Sequence, residues 1–150
     1  MFRAKPPVSD PKIRDDFLAA IVEIIDSHSR NVVGDETKSA KAGGFSTIGP
    51  VKEDLHDGLL ALSERLDPGD QDIIDTLVYD RILTAFFHLA NYIDGTADFT
   101  DQNGIPSLTY EVFKPKRIVY LADPSAAMLH DDLVDRAFRA YEARSGKPSP

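Results

Sequence analysis

Apolar residues recur at intervals of three and four along most of this chain, the period that gathers side chains on one face of an α-helix. Between Pro11 and His28 the stripe is Ile13, Phe17, Ile21, Ile24 and Ile25. Between Pro50 and Leu66 it is Val51, Leu55, Leu59, Leu62 and Leu66. Gly58 weakens that helix by about 1 kcal/mol relative to alanine. From Pro68 to Asp94 the main stripe is Ile74, Leu77, Val78, Ile82, Phe86, Leu89 and Ile93, with Tyr79, Leu83 and Phe87 in a second stripe beside it. Beyond Arg81 nearly every face is apolar, which predicts that this helix is the central, most buried element. At roughly 40 Å it is long enough to bend or break. A last helix, Pro124 to Arg144, is expected to bury Met128, Leu129, Leu133, Val134, Ala137, Phe138 and Tyr141.

Punctuation supports these limits. Asp10-Pro11, Asp67-Pro68 and Asp123-Pro124 each precede a helical pattern. An aspartate accepts hydrogen bonds from the free N–H groups of a first turn, and proline there loses no bond that would have formed. Gly49-Pro50 marks a fourth start, and Gly95 offers a left-handed cap after Asp94. The period changes after residue 94. Residues 94–106 are rich in Asp, Gly, Thr and Asn and read as a loop. Ser107 to Phe113 and Lys116 to Ala122 are β-branched and aromatic, and Lys114-Pro115 between them predicts a short hairpin. Residues 30–49 contain Gly34, Gly43, Gly44 and Gly49 and read as a long irregular connection. The expected fold is mainly α (α+β): a four-helix core around a long central helix, with a small β-hairpin before the C-terminal helix. It would form a single domain over residues 1–150, frayed at 1–9 and 146–150.

Composition narrows the class. The chain has 150 residues, 42% hydrophobic and 28% charged, ordinary values for a globular protein with a sizeable core. It has no cysteine, which excludes a disulfide framework, a thiol nucleophile and Cys-ligated metal. Met1 to Asp10 lacks the apolar core of a signal peptide, and Ile82 to Ile93 is too short to span a bilayer, so a cytoplasmic protein without a membrane partner is expected. A net charge of −8 argues against direct binding of nucleic acid or anionic lipid.

That charge is not spread evenly. Residues 53–80 hold nine acids, Glu53, Asp54, Asp57, Glu64, Asp67, Asp70, Asp72, Asp75 and Asp80, against one base, Arg65. The rest of the chain holds 16 acids and 16 bases, so this one stretch contains the whole excess. Some of these acids suit a helix start, where the macrodipole favours anions. Bases that would relieve their mutual repulsion are missing, however. The reading that follows is a non-enzymatic interaction protein without a cofactor. These nine carboxylates, with Tyr79 as an aromatic anchor, would bind and occlude a basic protein such as a toxin or a nucleic-acid-binding factor. Small immunity proteins and phage-encoded inhibitors share this general character, a likeness of class and not of sequence.

Two other readings use other residues. His56-Asp57 and His130-Asp131, joined by His28 and His88, are the residue types with which helical phosphohydrolases hold a divalent metal. Aspartate fills 19 of the 150 positions, so two His-Asp neighbours carry little information. Leu83 and Phe87, taken as outer positions, suggest a structural subunit that meets another copy of itself. Other motifs fail on inspection. With Gly104 as turn glycine, a calcium loop would begin at Phe99 and end at Tyr110 instead of glutamate. Ser27, His28 and Ser29 point in different directions on a helix. No phosphate-loop or nucleophile-elbow pattern occurs; Gly43-Gly44 with Lys38 and Lys41 is only a faint phosphate-binding signal.

Overall fold

The computed structural model describes residues 6–42, 54–95, 107–122 and 127–146, apart from the side chains of Ala40, Asp54, Leu55 and His56. It is mainly helical with a small sheet, the α+β class expected from the sequence. The described elements are β1 (Val8–Ser9), α1 (Pro11–His28), α2 (Val32–Lys41), α3 (Asp54–Ser63), α4 (Pro68–Ile93), β2 (Thr109–Phe113), β3 (Lys116–Tyr120) and α5 (Leu129–Ser145). They fall into two compact units. The terminal unit comprises residues 1–25 and 83–150, and the inner unit residues 26–82, so that α1 and α4 each contribute to both.

In the terminal unit, β2 and β3 form the expected hairpin across Lys114-Pro115, whose peptide bond is cis. Val8–Ser9 form a strand within the segment that reads as a polar N-terminal arm. These two residues pair in parallel with Val119 and Tyr120 and complete a sheet of order β1–β3–β2. A two-residue strand has too little alternation to register as a pattern. On α5, Leu129, Leu133, Ala137 and Tyr141 are buried at spacings of four as expected, whereas Val134 and Phe138 are half-buried and Met128, just before the helix, is exposed. Leu18, Ile25 and Val119 join this core fully buried, each large aliphatic contributing about 1.5–3 kcal/mol. Helix α5 starts at Leu129 and not at Pro124, and residues 123–126 lie outside the described residues. Its N-cap, Met128, offers no side-chain acceptor. Asp94, at the end of α4, supplies one by accepting the His130 N–H at 2.9 Å. Gly146 ends α5 at φ 62°, and Gly95 follows α4 at φ 72°, the left-handed positions that glycine accepts without strain.

The buried stripe of α1 also holds a charge. Arg14 takes a core position one turn before Leu18. Its guanidinium donates to the carbonyls of Leu121 (3.2 Å) and Ala127 (2.8 Å) and to the carboxylate of Asp132. Asp10 caps the same helix, accepting the Ile13 N–H at 3.2 Å and Arg117 at 2.6 Å, so the first Asp-Pro start holds.

The inner unit corrects the sequence reading of residues 30–49. Residues 32–41 form helix α2, which packs against α3, and residues 43–49 lie outside the described residues. No local cap announces this helix. Its first N–H groups, those of Asn31 and Val32, donate to the two oxygens of Asp75 at 2.6 and 2.9 Å. Asn31 turns the chain at φ 49°, and its side chain folds over Gly34, where a Cβ would lie 2.3 Å from Asn31 Oδ1. Glycine at 34 therefore reads as a loop signal but permits a close approach within a helix. Helix α3 is described from Asp54, so its expected start at Pro50 is outside the description, and it ends at Ser63, three residues before Leu66.

Helix α4 starts as expected. Asp67 Oδ1 accepts the Asp70 N–H at 2.8 Å, and Asp70 Oδ2 receives the Asp67 N–H at 3.4 Å. Its rotation differs from the reading. Tyr79, Leu83 and Ala90 are buried, while Leu77 and Leu89 of the supposed main stripe are exposed. A helix with apolar residues on several faces fits more than one stripe, and period alone does not choose between them. Leu83, read as an outer position for contact with another copy, is thus a core residue, and Phe87 packs edge-on against His130.

Candidate functional site

Six of the ten residues singled out for partner binding stand on the surface of the inner unit: Asp57, Glu64, Asp67, Asp70, Asp72 and Asp80. Asp57 and Glu64 belong to α3 and the turn after it, and the others cap or line the first half of α4. Glu53 lies outside the described residues, and only the backbone of Asp54 is described. Asp67 and Asp70 already accept backbone N–H groups of the α4 start, which fixes their positions and leaves their charge in place.

Two of the ten do other work. Asp75 is half-buried, and both its oxygens serve the α2 N-terminus, so it is a structural cap and not a surface carboxylate. Tyr79 is 3% exposed and belongs to the core, which removes it as an aromatic anchor. Two exposed apolar side chains on the same helix escape the sequence reading. Ile73 is 67% exposed and Leu77 53% exposed, one turn apart among the exposed aspartates of α4. Ile73 falls off the stripe that its neighbour Ile74 fits, and the helical period places Leu77 in the core stripe.

The metal reading receives a different geometry. His130 Nδ1 lies 2.7 Å from Asp94 Oδ2, an oxygen that also accepts the His130 backbone N–H. The two side chains are 12% and 8% exposed, and His130 Nε2 lies 3.4 Å from Asp131. This cluster joins the end of α4 to the start of α5. Asp57 is exposed, and the His56 side chain is not described. Among the described residues no group of three His, Asp or Glu is placed to hold a metal ion. The terminal unit also has a cavity of about 270 Å³, lined only by apolar side chains, Phe17, Phe86, Ala90 and Leu133 among them. Among the described residues no helix is long and apolar enough to cross a membrane.

Comparison with known proteins adds no relative: no family model, no curated protein and no solved structure matches the chain.

Proposed function

We propose that this protein is a non-enzymatic interaction protein whose inner unit binds and occludes a basic protein partner. One observation supports the reading most: six carboxylates of residues 57–80 are solvent-exposed, and the same stretch contributes a single base, Arg65. Exposed acids contribute little to stability, and crowded like charges oppose folding. Such a surface accelerates encounter with a basic partner and rejects acidic ones. Its carboxylates meet lysines and arginines that otherwise contact phosphate, so the mechanism is occlusion. A toxin or nucleic-acid-binding factor is the kind of partner that fits.

The test is affinity capture from the native cell with washes of increasing salt, run in parallel with the wild-type chain and Asp72→Lys/Asp80→Lys. Asp75 is left intact because it holds α2. A basic protein retained at low salt, released as salt rises and lost with the reversed chain supports the proposal. Equal retention by both chains refutes it.

A further inference from the structure

Asp70, Ile73, Leu77 and Asp80 follow one another at spacings of three, four and three along α4, and all four are exposed. That interval is the seam spacing of a coiled coil, in which one helix packs lengthwise on another. The seam runs about 15 Å, three turns of helix. Its centre is an apolar pair, 67% and 53% exposed, and each end is a carboxylate. The opposite side of the same helix carries buried Tyr79 and the α2 cap Asp75, so its rotation is fixed from behind.

The charges at the ends select the occupant. A second copy docked in parallel would set Asp70 against Asp70 and Asp80 against Asp80. Docked antiparallel, it would set Asp70 against Asp80. Both arrangements place like charges opposite each other, which disfavours self-pairing. A helix with a lysine or arginine at each end of the same interval, and two apolar residues between, meets every position. Arg81 borders the Asp80 end, so the negative field is strongest at the other end, where Asp67, Asp70 and Asp72 gather.

We infer that the seam Asp70–Ile73–Leu77–Asp80 docks an amphipathic basic α-helix of the partner, lengthwise along the first half of α4. This rests on the proposed binding of a basic protein and adds which element of that protein is gripped. Electrostatic attraction supplies the encounter, and burial of Ile73 and Leu77 supplies register and residence.

Two synthetic helical peptides of identical composition separate the two ideas. One carries Lys, Leu, Leu and Lys at the seam spacing; in the other the leucines sit on opposite faces. Binding to the full chain is read by fluorescence anisotropy and by amide shifts of residues 70–80. The seam peptide is expected to bind about tenfold tighter, a difference erased by Ile73→Ser/Leu77→Ser. Both substituted positions are exposed, and circular dichroism verifies that the variant stays folded. Equal binding of both peptides at low salt overturns the seam while leaving the acidic-surface reading intact. Binding of neither peptide at low salt overturns both.

Discussion

The two units use aspartate differently. In the terminal unit, three carboxylates meet arginines brought from far along the chain, Asp10 with Arg117, Asp15 with Arg136 and Asp132 with Arg14, beside the local pairs Asp16–Lys12 and Asp135–Arg139. In the inner unit, the ion pairs Asp26–Arg30 and Asp35–Lys38 are local, and Asp67, Asp70 and Asp75 accept backbone N–H groups. An acid that meets a cation adds no net field, whereas an acid that caps a helix keeps its charge. The totals follow: residues 26–82 hold twelve acids and six bases, and the remainder thirteen and eleven. The inner stretch thus carries six of the chain's eight net negative charges.

The sharpest way to break this contrast is Arg14→Ala. It strands two carbonyls and a carboxylate in a mostly buried site and is expected to cost about 3–5 kcal/mol in urea unfolding. Arg136→Ala, which removes a more exposed pair, should cost under about 1 kcal/mol. Asp75→Ala comes next, with a loss of about 1–2 kcal/mol and faster amide exchange across residues 32–41. A neutral result there would mean that α2 does not depend on its distant cap. Asp94→Ala should cost a similar amount, about 1–2 kcal/mol, with increased exchange in the first turn of α5. Smallest is Asp80→Ala, at an exposed position, expected within about 0.5 kcal/mol of wild type; a large loss would place this acid among the structural ones.

Legibility in the sequence followed how local the signal was. The caps of α1 and α4 lie within three residues of the N–H groups they serve, and Asp-Pro announced them. Helix α2 went unread because its cap, Asp75, lies more than 40 residues away and its Gly34 imitates a loop. Helix α5 likewise takes its cap from Asp94, 36 residues before His130. Arg14 in a core stripe is invisible to hydrophobic periodicity, because its partners come from the far end of the chain. The acidic segment was legible as composition. Its division into caps, solvent-facing charges and a buried tyrosine depended on helix rotation, which a helix with several apolar faces does not disclose.

The proposed role of the exposed acids Asp72 and Asp80 is association. Reversing both to lysine, and following thermal unfolding and partner capture on the same preparation, addresses this directly. The expected result is a melting temperature within a few degrees of wild type, about the shift of an effect below 1 kcal/mol, together with loss of the salt-sensitive partner. A chain that unfolds early, or one that keeps its partner at every salt concentration, contradicts it.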